Sequence, residues 1–306
     1  MWPSDQHFNW NSVDVGPHRD VTAEISAAVK AAGMHSGLYH SLLEWYNPVF
    51  LADIASNFTT RDFAKNTMAE LRDLVTRYEP DLLWSDGDWV GPDSYWNAPG
   101  EFLAWLVNES PVKDSVVFND RWGIGDTCHH GSFLTCSDRY SPTTLQPRKW
   151  ENAMTLDYHS WGYRRNAPLS DYMPLSELLR ELASTLAYGG NLLINVGPAL
   201  DGTIPVIMEE RLLGLGAWLA VNGEGVYGTS PWTRAQNESA AHAFYTAAPA
   251  RGAVYVHLLA WPRGGALNLT QPVAGGAMSA QLFAAQGALP VAVAGTPGAP
   301  GLRLQL

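Results

Sequence analysis

The stretch Asp81–Val90, DLLWSDGDWV, asks two things of one backbone. Leu82, Leu83 and Trp84 read as a buried strand, and Asp86 and Asp88 come directly after, with Gly87 between them and Trp89 behind. A strand that is apolar throughout belongs to a parallel sheet covered by helices. A carboxylate just past the C-terminal end of such a strand stands where barrel enzymes build their sites. The same SDGD is also turn-forming sequence, since Asp and Gly both favour turns.

The flanking sequence repeats a helix-then-strand plan. HRDVTAEISAAVKAAG places Val21, Ile25 and Val29 on one helical face and stops at Gly33, a C′ position. SGLYHSLLEW comes next as a strand whose end carries His40 and then Glu44. In NTMAELRDLVTRYEP, Thr67 and Glu70 have capping-box spacing, Met68, Leu71, Leu74 and Val75 form an apolar face, and Pro80 ends the helix. Strands are predicted near 37–41, 82–86, 115–119, 156–160 and 191–195. No Gly-rich phosphate turn comes after any of them, which argues against a nucleotide fold. The expected class is α/β: a (β/α)8-type barrel that is N-terminally incomplete, with five of its eight strands legible. From Val226 onward short β runs separated by Gly, Pro and Asn predict a C-terminal antiparallel β-sandwich. The expected division is a catalytic barrel over 1–225 and a sandwich over 226–306.

Composition narrows the function. A net charge of -11, with 19 Lys and Arg spread along 306 residues, argues for no nucleic acid partner. No continuous apolar run reaches about 18 residues, so no membrane span is predicted. The start, MWPSDQHFNWNS, has neither the basic nor the apolar region of a signal peptide. Thirteen Trp is about three times ordinary usage, and indole faces stack on sugars as well as filling cores. Cys128 and Cys136 enclose CHHGSFLTC. They could close a disulfide loop, stay as free thiols, or ligate metal together with His129 and His130, although no recognised zinc spacing fits. Glycosylation sequons fall at Asn57, Asn108, Asn237 and Asn268.

A carboxylate such as Asp86 serves as nucleophile, general base or metal ligand. Glycoside hydrolysis needs two carboxyl groups flanking a sugar, and the candidate partners are Glu44, Asp138, Glu151 and Asp157. Arg121, in NDRWG, suits a hydrogen bond to a sugar oxygen or to the carboxylate; its structural alternative is a pair with Asp120. His40, His129 and His130 could donate to hydroxyls or simply be satisfied core histidines.

FNWNSVDVGPHRD, GLYHSLLEWYNP, DLLWSDGDW, FNDRWG, SWGYRR and NLLINVGPALDGTI together resemble the α-L-fucosidases of glycoside hydrolase family 29, especially the animal lysosomal or tissue type. The resemblance runs in order along essentially the whole chain. It implies a barrel and then a sandwich, and a retaining enzyme that releases terminal α-L-fucose from fucosylated glycans and glycoproteins without cofactor or metal. It implies Asp86 as nucleophile, Trp84 and Arg121 as substrate-binding residues, and Asp138 as acid/base, with Glu151 the alternative; His40, from its strand-end position, is the further substrate-binding candidate. It further implies lysosomal or secreted localisation and leaves a homo-oligomer open. Family members carry an upstream portion with the first barrel strands and a KHH[ED]GF motif. Met1–Ser4 resembles the family residues immediately C-terminal to that motif. The alternative expectation is therefore a truncated, catalytically inactive chain with at most weak sugar binding.

Overall fold

The computed structural model describes residues 1–273 and 278–306, without the side chains of 93, 96–99 and 273. Its residues gather into two units, Met1–Ser137 and Asp138–Leu306. That division falls inside the stretch expected to be one barrel.

In the first unit, α1 (Val21–Ala31) leads to β1 (Gly37–Ser41), and α2 (Pro48–Ala55) and α3 (Asp62–Tyr78) lead to β2 (Leu82–Asp86). Then α4 (Asn97–Asn108) leads to β3 (Val117–Phe118). The three strands pair in parallel in that order, with Tyr39 opposite Trp84 and Ser41 opposite Asp86. α3 forms because Phe63, Thr67, Leu71, Leu74, Val75 and Tyr78 recur at helical spacing and are all buried. They pack with Leu42, Phe50, Leu83, Phe102, Leu106 and Trp122 into one apolar core. The capping-box reading of Thr67 and Glu70 is corrected: the helix begins five residues earlier, at Asp62, and both lie inside it. Its real cap comes from α2. Asp53 is buried there and accepts from the backbone N–H groups of Asp62 (3.3 Å) and Phe63 (3.0 Å), the Thr60 hydroxyl (2.6 Å) and the Tyr95 hydroxyl (3.1 Å). Gly33 takes φ +74° after α1, as its C′ reading requires.

In the second unit, β4 (Trp150–Thr155) and β5 (Gly190–Asn195) pair in parallel, with α5 (Leu175–Ala187) after the first and α6 (Val206–Asn222) after the second. The strand expected at 156–160 is corrected to 150–155, which moves Glu151 from before the strand to inside it. Residues 156–160 leave the sheet because Asp157 turns to its own partners, bridging to Tyr172 and binding Arg164. Met154, Leu156, Leu178, Leu182, Met208 and Leu215 form this core.

The chain then becomes antiparallel. β6 (Ser230–Pro231), β7 (Asn237–Glu238), β8 (Ala243–Ala248) and β9 (Ala253–Leu258) make one sheet, with β8 pairing all three others. β10 (Ala266–Val273), β11 (Ala280–Ala284), β12 (Gly287–Ala294) and β13 (Pro300–Gln305) make another, in the order β10-β13-β12-β11. Tyr245 of the first sheet packs with Leu267, Leu269 and Leu304 of the second, the shared core of a sandwich. Among the described residues no helix is long and apolar enough to cross a membrane.

Candidate active site

Side chains alternate along a strand, and parallel partners in register face the same way. Tyr39, Trp84 and Asp86 therefore share one face at the C-terminal ends of β1 and β2, while His40 and Ser85 share the other. Asp86 is held at both oxygens: the Tyr39 hydroxyl donates to Oδ2 at 3.0 Å, and an Arg121 Nη donates to Oδ1 at 3.0 Å. The Tyr39 ring stacks on the Trp84 indole at 5.6 Å, and the Arg121 guanidinium lies 4.8 Å from the centre of that indole. Burial, then the charge of Asp86, pushes the Tyr39 hydroxyl well above the usual tyrosine range, so it remains a donor. Gly87 turns the chain away at φ +91°, where a Cβ would meet Leu43 at 3.2–3.4 Å.

Arg121 is placed from behind. Its Nε donates to Thr135 Oγ1 at 3.0 Å, and Thr135 donates to Asp120 Oδ1 through both its hydroxyl (2.6 Å) and its backbone N–H (2.8 Å). Asp120 Oδ2 accepts from the backbone N–H groups of Cys128 (2.7 Å) and Cys136 (3.2 Å), and the two cysteines form a disulfide. So Arg121 pairs with Asp86 and not with Asp120, which is fully buried and ties down the disulfide loop. Asn119 fixes β3 against β2: its Oδ1 accepts from the Ser85 N–H and hydroxyl, and its Nδ2 donates to the Ser85 carbonyl at 2.8 Å. Asp88, buried, accepts from the Gly123 N–H and the Thr127 hydroxyl, which links the two loops; burial pushes its carboxyl up.

The other candidates fall elsewhere. His40 is turned from Asp86 to the opposite sheet face, its Nε2 3.6 Å from Glu70 of α3. The residue of that strand that reaches Asp86 is its neighbour Tyr39, which the period-2 alternation could have identified. Glu44 accepts from the Asn47 amide and lies beside His7. Asp157 is saturated: Arg164 binds both its oxygens at 2.7 and 2.8 Å and the His159 N–H adds a third bond, which together, Arg164 first, hold its carboxyl below the usual range. Glu151 is the second residue of β4, roughly 13 Å along the strand from Thr155 at about 3.3 Å per residue, and hence near the N-terminal end. Asp138 is exposed and next to Arg139, whose N–H bonds the Ala153 carbonyl and whose guanidinium bonds the Asp157 carbonyl, both towards the C-terminal end of β4. His129 Nδ1 donates to the Thr127 carbonyl at 2.9 Å, and neither it nor His130 joins a metal cluster among the described residues.

The sequence model of the α-L-fucosidase family matches residues 1–224. The chain belongs to the α-L-fucosidase family. It is 52% identical to the plasma α-L-fucosidase of Rattus norvegicus over 276 residues, 89% of this chain and 60% of that one. To the tissue α-L-fucosidase of Homo sapiens it is 47% identical over 289 residues, 94% of this chain and 61% of the other. The chain thus spans about 60% of the length of the curated relatives it matches. Among solved structures, the Thermotoga maritima α-fucosidase in complex with a mechanism-based inhibitor matches all of it at TM-score 0.77 and 30% identity, over 68% of that chain. The same enzyme in complex with fucose matches at TM-score 0.76. The fold class of this fucosidase-family chain is that of these enzymes, a (β/α) barrel with a C-terminal β-sandwich.

Proposed function

We propose that the chain carries the catalytic machinery of a retaining α-L-fucosidase acting on terminal α-L-fucose of fucosylated glycans. The observation that carries this reading is Asp86, at a barrel strand end, gripped at one oxygen by Tyr39 and at the other by Arg121. Such a grip fixes the carboxylate's direction before a sugar arrives, so little reorganisation accompanies attack. Asp86 attacks the anomeric carbon to form a covalent fucosyl-enzyme while an acid protonates the departing oxygen. That acid, now a base, then takes a proton from the water that frees fucose. Trp84 supplies an apolar wall. Asp138 is the proposed acid/base: it is exposed and lies towards the C-terminal end of β4, whereas Glu151 lies near the opposite end of the same strand. Residues 1–225 are read as the catalytic part and 226–306 as the sandwich. The disulfide and the exposed asparagines of all four sequons support a secretory route, secreted or lysosomal.

The test is nucleophile replacement with an aryl α-L-fucoside of good leaving group. Asp86→Gly loses turnover by at least about 10³-fold, and azide restores it as the β-fucosyl azide. Activity left intact in the variant rejects the assignment. Fucose binding by the wild-type chain without turnover favours the alternative of an inactive, sugar-binding chain.

A further inference from the structure

On the sheet face opposite Asp86, Glu70 of α3 sits with its side chain only 6% exposed. Its Oε1 accepts from the Ser4 hydroxyl at 2.6 Å, and its Oε2 lies 3.2 Å from His7 Nε2 and 3.6 Å from His40 Nε2. Glu44 Oε1 lies 3.6 Å from the same His7 nitrogen. One donor atom each from His7, Glu44 and Glu70 falls within 4.8 Å of the others.

We propose that His7, Glu44 and Glu70 form a binding site for one divalent transition-metal ion, zinc being the ion that fits best, with His40 and Ser4 holding Glu70 in place. The donor set is one imidazole nitrogen and two carboxylates, which suits zinc and balances its charge. Tetrahedral zinc with bonds of about 2.0–2.1 Å needs ligand atoms about 3.3–3.4 Å apart. The spacings of 3.2 and 3.6 Å around His7 Nε2 come close to that before any ion enters. Glu44 is 43% exposed, which leaves a path for the ion and a fourth position for water. His40 Nδ1 is buried and has no hydrogen-bond partner among the described residues, so its proton belongs on Nε2, facing Glu70. The hydrogen bond that positions the liganding carboxylate comes from Ser4 at 2.6 Å, with His40 Nε2 a second polar neighbour at 3.6 Å. The ion would join the N-terminal segment, the turn after β1, and α3. Because these groups lie on the helix side of β1, the ion would brace the scaffold and take no part in the chemistry at Asp86.

The experiment uses the full chain, stripped with a chelator and then freed of it, and reads zinc by calorimetric titration, melting temperature and the visible spectrum of the cobalt form. The proposal expects one equivalent of zinc, a raised melting temperature and a tetrahedral cobalt spectrum. His7→Ala and Glu44→Gln, both outside the apolar core, each weaken zinc binding about 10–100-fold, whereas His129→Ala leaves it unchanged. Zinc binding equal in wild type and both variants, or no stoichiometric binding by wild type, overturns it. None of these readouts depends on fucosidase activity.

Discussion

Tyr39 shows how much a single side chain can carry without announcing itself. It stacks on the Trp84 indole and donates to Asp86, and its hydroxyl stays protonated because burial and the neighbouring carboxylate disfavour the phenolate. A hydrogen bond to a charged group contributes about 1.5–3 kcal/mol, which is about 10–100-fold in rate where the bond matters in the transition state. Tyr39→Phe keeps the stack and loses the bond, so kcat should fall by that factor while melting temperature barely moves. Steady-state kinetics on an aryl α-L-fucoside, beside a thermal melt, checks this; an unchanged kcat would show that the hydroxyl is a bystander.

Elements are pinned by partners distant in sequence. The N-terminus of α3 is satisfied by Asp53, whose carboxylate also gathers Thr60 and Tyr95. Asp53→Ala strips four donors of their acceptor, those of Phe63 and Tyr95 inside the core, and should cost about 2–4 kcal/mol, measured by urea unfolding with an unchanged m-value. The Cys128–Cys136 loop behaves as an element too, since Asp120 and Thr135 pass its position on to Arg121. The double variant Cys128→Ser/Cys136→Ser should lose roughly 2–3 kcal/mol, the chain-entropy value for so short a loop. Its kcat should fall as well, because Arg121 then loses the support that aims it at Asp86. α1 and α3 were legible as helices from local spacing, but only α3 buries its predicted apolar face; α1 buries Thr22 and Ser26 and leaves Ile25 exposed. The cap of α3 was not legible: the donors and the acceptor come from different elements, and Thr67 with Glu70 had the right spacing in the wrong place.

At the scale of the molecule, the sandwich carries a proton-linked weakness. His257 of β9 is 9% exposed and bonds the Thr246 hydroxyl at 2.9 Å, which itself donates to the Gly225 carbonyl. Burial pulls its pKa down to about 4. The folded pKa lies below the unfolded one, so the unfolded chain takes up the proton first. Stability from this residue is complete above about pH 6.5 and is lost as pH falls towards 4, in total about 3 kcal/mol. Denaturant unfolding at about pH 7 and about pH 4.5 should show most of that loss in wild type and a flatter slope in His257→Gln. Equal slopes would place the acid sensitivity elsewhere.

By itself the sequence determined the alternation of helix and parallel strand, the change to antiparallel strands after α6, and the placing of Trp84, Asp86 and Arg121 at strand ends. Each of these comes from patterns a few residues long. Only the tertiary structure decided which neighbour of a strand end faces the site, Tyr39 or His40, because that depends on register against a strand more than forty residues away. It likewise decided that Arg121 turns to Asp86 while Asp120 turns to the disulfide loop, and that His7, Glu44 and Glu70 meet. Charged and polar groups find their partners through folding, and no local spacing encodes those pairings.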